Sequence, residues 1–179
     1  MFADNEDDDL RPVDPNFEWL AENPVCFVGF GFGSGLSPKA PGTAGTAVGL
    51  VLAAIWVWLT STPPWILLVI GVLLFPLGVW ICNENEKKLR THDHCGIVFD
   101  EIAAMIFILG FVAFHFFYWL AAIALFRFFD AVKPYPISHF DKTVQGGLGV
   151  MIDDYIAAIF CIIPLLLVKY GWQYFQGAL

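Results

Sequence analysis

Residues Ile97 to Phe129 read IVFDEIAAMIFILGFVAFHFFYWLAAIALFRFF, and the way this stretch enters a bilayer decides the fold. As one helix it would run about 50 Å at 1.5 Å per residue, against a hydrocarbon core of about 30 Å. The sequence therefore predicts a helical hairpin, with its bend between Gly110 and Tyr118 and His115 inside the bend. Each arm is then short, tilted or only partly inserted.

The flanking segments extend the same pattern. An apolar run from Val48 to Leu59 becomes long enough to span only if its helix begins near Thr43, and Trp65 to Cys82 forms a second run, kinked at Pro76 and Gly78. Asn83 to His94 reads as a polar loop, Asp130 to Gly149 as a second, and Met151 to Tyr170 as a last apolar helix carrying Pro164. The expected fold class is all-α: a polytopic membrane bundle of about five apolar helices, some short or kinked. Composition agrees, because 58% hydrophobic residues and a mean hydropathy of +0.68 exceed what a soluble domain carries.

Charge sets the expected orientation. With the hairpin, the polar segments share one side, and that side holds Arg11, Lys39, Lys87, Lys88, Arg90, Arg127, Lys133 and Lys142, leaving only Lys169 opposite. The positive-inside rule makes it the cytoplasm. Of the net charge of −8, residues 1–22 carry −7, in eight acids against Arg11. This stretch, with Pro12 and Pro15, reads as a disordered acidic cytoplasmic tail, and residues 23–179 as a single membrane domain. The nearly neutral body gives no footprint for nucleic acid. Four cysteines, Cys26, Cys82, Cys95 and Cys161, lack CxxC spacing and indicate neither a disulfide framework nor a zinc site.

Two acidic pairs, Asp100-Glu101 and Asp153-Asp154, begin apolar segments, where ionisable groups are expensive and mark ion, proton or catalytic sites. Gly96 to Glu101 lines up with Gly149 to Asp154, which suggests two equivalent helix starts delivering acids to one place. Adjacent acids point about 100° apart, so neither pair is a complete site, but two such starts side by side can converge several carboxylates on a hard cation such as Mg²⁺. Helix capping is the alternative, although it explains one acid per helix and not a doubled pair twice.

Arg127, Asp130 and Lys133 recur every three residues before Pro134 stops the helix, which places them on one face. The bases can grip a phosphate while Asp130 orients them, binds metal or attacks; the same residues also suit ion pairs at a membrane boundary. The stretch Gly29 to Thr46 fits neither a nucleotide-binding loop nor a dinucleotide fingerprint. Its glycines, with Lys39 and the hydroxyls of Thr43 or Thr46, suit an anion, or else close helix packing. His92-Asp93-His94, His115 and His139 receive no catalytic role.

In order along the chain, Pro38 to Thr43, Val98 to Glu101, Arg127 to Ile137, and Gly146 to Asp154 resemble the phosphatidylglycerophosphatase A family, over roughly residues 25 to 170. Tyr135 stands where the family often has Trp, and Ala104 and Ala158 where it often has Gly. The resemblance implies a Mg²⁺-dependent lipid phosphatase of the bacterial inner membrane that converts phosphatidylglycerophosphate to phosphatidylglycerol and phosphate in phospholipid biosynthesis, with its active site cytoplasmic. On that reading Asp100, Glu101, Asp153 and Asp154 hold the metal, and Lys39, Thr43, Arg127 and Lys133 hold the phosphate. Asp100, Asp130, Lys133 and Asp154 carry the chemistry. Competing readings are a cation or proton-coupled transporter and a metal-dependent lipid phosphotransferase.

Overall fold

The computed structural model describes residues 12–92, 94–112 and 115–177, with the side chains of 172, 173 and 175–177 excepted. Among the described residues there are eight α-helices and no strand: α1 (Phe17–Glu22), α2 (Pro24–Gly29), α3 (Pro41–Thr60), α4 (Trp65–Leu89), α5 (Phe99–Leu109), α6 (Phe116–Val132), α7 (Ile137–Thr143) and α8 (Gly146–Gly177). Two 3₁₀ turns fill Gly31–Leu36. Five of the helices are apolar and form the bundle, as the segment lengths predict. Three segments, α3, α4 and Gly146–Gly171 of α8, are long and apolar enough to cross a membrane.

The hairpin forms, and its two arms differ. At 11 residues α5 is about 16 Å long and cannot span, and nearly its whole surface is buried, including Ile102, Ala103, Ala104, Met105, Ile108 and Leu109. It is the central helix, packed against α3, α4, α6 and α8. A helix apolar all round is stable only inside such a sheath. Two side-chain contacts support the described residues on either side of its bend. The His115 imidazole accepts from Phe117 N to cap α6, and Lys169 Nζ on α8 donates to the Phe111 carbonyl at 3.3 Å. Lys169, the one basic residue expected on the opposite side, thus serves the bend.

Several boundaries depart from the sequence reading for one shared reason: polar residues find tertiary partners. The expected loop at Asn83–His94 continues α4 to Leu89. There Asn83 Oδ1 accepts from Gly147 N at 2.8 Å, Asn85 Nδ2 donates to the carbonyls of Ile81 and Val25, and Lys88 Nζ donates to Asn23 Oδ1. The expected loop at 130–149 contains α7, and α8 begins at Gly146 rather than Met151. In the segment read as a disordered tail, residues 1–11 lie outside the described residues. Residues 17–22 are helical, capped by Asn16 Oδ1 on Trp19 N and anchored by the fully buried Leu20.

The earlier start of α8 also corrects the idea of two equivalent helix starts. Asp100 and Glu101 occupy the first turn of α5, whereas Asp153 and Asp154 lie two turns into α8. The helix-start dipole therefore favours the first pair and does not reach the second. The starts of α3, α5 and α8 and the ends of α4 and α6 meet at one end of the bundle, where α7 also lies.

Candidate active site

At that end a cleft of about 260 Å³ is lined by Gly42 of α3, Asp100 and Glu101 of α5, Arg127 and Asp130 of α6, Lys133, Asp141 of α7, and Asp153 and Asp154 of α8. Rotation along α8 separates its two acids. Asp154 joins Asp100 and Glu101, one carboxylate oxygen from each lying within 4.8 Å of the others. Asp153 turns to the side and accepts from Lys133 Nζ at 2.6 Å. Asp100 and Asp154 are buried, and the Glu101 side chain is 12% exposed.

Asp100 Oδ1, Glu101 Oε2 and Asp154 Oδ2 are buried without a hydrogen-bond partner. Three carboxylates with unpaired buried oxygens repel one another and lack the water that would stabilise them, at several kcal/mol per uncompensated charge. Hard cations take carboxylate oxygens, so the residues present fit a divalent metal ion. Gly42 leaves room beside the cluster, since a Cβ there would collide with Glu101 Oε1 and would lie 2.8 Å from Arg127 Nη1.

The basic side is built on the end of α6. Arg127 Nη1 lies 2.8 Å from Asp130 Oδ2 and 3.5 Å from Glu101 Oε1, so Asp130 fixes the guanidinium beside the acidic cluster. Lys133 closes α6 in the left-handed region, φ 43°, and its ammonium bridges Asp141 on α7 and Asp153 on α8. Burial pulls the Lys133 pKa down, but hydrogen bonds to Asp141 and Asp153 outweigh it and leave the pKa raised. The ammonium stays charged at neutral pH.

Of the site residues expected from sequence, Asp100, Glu101, Arg127, Asp130, Lys133, Asp153 and Asp154 meet in this cleft. Lys39 and Thr43 are exposed and do not line it; Gly42, between them in the chain, does. Thr46 is buried and donates to the Gly42 carbonyl at 2.8 Å. Asp141 is a site residue the sequence reading missed. Its only signal was an acid in a segment read as a loop, and α7 is what brings it to Lys133. His92 and His94 also line the cleft, the first 2.7 Å from Glu86 Oε1 and the second accepting from Gly96 N, whereas Asp93 lies outside the described residues. A larger groove between α6 and α8, lined by Tyr118, Leu125, Pro164 and Leu165 among others, is apolar and carries none of these groups.

Fold and site together define a membrane-inserted helical protein with a buried tri-carboxylate cluster facing fixed cations at one end. The model of the phosphatidylglycerophosphatase A family matches residues 27–169, and the chain belongs to that family of phosphoric monoester hydrolases. It is 40% identical over 149 residues to phosphatidylglycerophosphatase A of Haemophilus influenzae, covering 83% of this chain and 90% of that protein. The Escherichia coli protein of the same name is 40% identical over 153 residues, covering 84% and 86%. A Bacteroides thetaiotaomicron protein, named as a candidate phosphatidylinositol-3-phosphatase, is 36% identical over 151 residues, covering 80% and 92%. No solved structure gives a significant match.

Proposed function

We propose that this protein hydrolyses the terminal phosphomonoester of phosphatidylglycerophosphate, giving phosphatidylglycerol and inorganic phosphate, with Mg²⁺ held by Asp100, Glu101 and Asp154. The observation that carries this reading is the convergence, in one cleft, of three carboxylates with unpaired buried oxygens and two immobilised cations. Arg127, fixed by Asp130, and Lys133, fixed by Asp141 and Asp153, hold the phosphate oxygens and oppose the charge that builds on them. When bound, Mg²⁺ supplies further positive charge against the phosphate and corrects the excess of acid. Asp130 acts here by orienting Arg127, which its 2.8 Å contact supports.

The cluster sits in the first turn of α5 and beside the first turn of α3, at one end of the bundle and not at its middle. This favours a lipid headgroup reaching in from a membrane surface over a conduit across the bilayer. The described basic residues gather at the same end, with Lys169 on the far half of α8, which supports a cytoplasmic site in a bacterial inner membrane.

The test is phosphate release by purified protein from phosphatidylglycerophosphate, phosphatidic acid and a phosphatidylinositol 3-phosphate, with Mg²⁺ and with chelator. Release from the first, lost on chelation and needing no acceptor alcohol, is the expected result. Faster release from the inositol lipid would move the substrate assignment, and full activity under chelator would overturn the metal.

A further inference from the structure

Lys133 is tied from two directions, by Asp153 inside the bundle and by Asp141 at its edge. A lysine ammonium has three donors, and two carboxylates on different helices occupy two of them, which fixes the direction of the third. The Asp153 side chain is 9% exposed and that of Asp141 33%. With Asp153 alone, the ammonium would settle onto the buried carboxylate as a neutral pair and could swing about that single contact. With both, it stays on the cleft wall between them.

The backbone supports the same arrangement. Lys133 adopts φ 43° and donates its N–H to the Phe129 carbonyl at 2.9 Å, in the helix-ending position where glycine is usual. A side chain is strained there, and the two ion pairs hold this one in place. α7 contributes Asp141 to the cleft wall through this contact with Lys133.

We propose that Asp141 is a positioning residue: acting through Lys133, it holds the ammonium in the cleft against the pull of Asp153, oriented to receive a phosphate oxygen. This rests on the reading of Lys133 as a phosphate ligand. Repulsion between the like charges of Asp141 and the arriving phosphate does not cancel the benefit, because the ammonium is set in place before the phosphate arrives, and a preset donor binds more tightly than a mobile one.

The experiment is a double-mutant cycle on full-length protein, read as KM and kcat for phosphatidylglycerophosphate and, separately, as Kd for inorganic phosphate. Asp141→Ala is expected to raise KM and the phosphate Kd about tenfold, the size of one charge-assisted contact, with kcat within about twofold. In a Lys133→Ala background the same substitution should change either constant by less than about twofold, because its only route to the phosphate is gone. Equal effects in both backgrounds would show a role in folding α7 and overturn the proposal, as would an unchanged Kd in the presence of Lys133. Should Asp141→Ala lower the melting temperature enough to obscure the kinetics, Asp141→Asn, which keeps the acceptor oxygen, carries the cycle with a smaller shift of the same pattern. Loss of lipid hydrolysis by the wild type with phosphate binding intact would count against the substrate and leave the Asp141 cycle decisive.

Discussion

The two acidic pairs look alike in sequence and act differently in space. Asp100 and Glu101, in the first turn of α5, both turn toward one cluster, whereas of the pair two turns into α8 only Asp154 reaches it and Asp153 binds Lys133. The difference teaches that an adjacent pair of acids on a helix can serve two subsites at once. Its 100° divergence, a handicap for building one site, lets a single helix give one acid to the carboxylate cluster and the other to Lys133 across the cleft. The α5 pair begins the central helix, enclosed by α3, α4, α6 and α8, and both of its acids reach the one cluster.

The largest effects should separate the cluster from everything else. Asp100→Asn and Asp154→Asn are each expected to lower phosphate release on the order of 10³-fold, as for loss of a ligand to the ion that opposes the charge of the reacting phosphate. Mg²⁺ is expected to raise the melting temperature of the wild type, since a cation bound only by the folded state stabilises it, and both variants should abolish that rise. An Asp154→Asn protein that kept the full Mg²⁺ shift would break the distinction between the two members of the α8 pair.

Asp153→Asn should act more mildly, lowering activity about 10- to 100-fold as for a residue that supports a ligand, while the Mg²⁺ shift in melting temperature persists. Loss of that shift would return Asp153 to the metal. Gly42→Ala tests the boundary between the subsites, because the added methyl meets both Glu101 and Arg127. Activity is expected to fall about tenfold, with the bundle intact by circular dichroism. The smallest effects belong to Lys39→Ala and Thr43→Ala, expected to change KM less than about twofold because both side chains are exposed outside the cleft. A tenfold rise in KM for Lys39→Ala would show that the glycine-rich segment closes over the substrate.

Much of the fold is legible along the chain. The hairpin follows from 33 residues too long for one crossing, and its first arm ends at Leu109 and its second begins at Phe116, at the expected bend. Less legible were the ends of α4 and α8, because a polar residue in sequence looks the same whether it meets water or a neighbouring helix. Asn83 and Asn85 extend α4 through bonds to Gly147 and Val25, more than 50 residues away. The same blindness hid Asp141, whose partner Lys133 is set by the turn into α7.

The sequence by itself determined that this chain inserts in a membrane, that five apolar helices fold as a bundle, and that its acids and bases gather at one end. These follow from segment length, hydrocarbon thickness and the order of charged residues, all of them local quantities. Only the tertiary structure decided which carboxylates converge, which one leaves the cluster for Lys133, and that Asp141 joins it. Helix periodicity gives the angle between neighbouring side chains but not how a helix is rotated against its neighbours. Close packing sets that rotation, as at Gly42 against Glu101 and at Gly147, where a side chain would strike the Val79 carbonyl of α4.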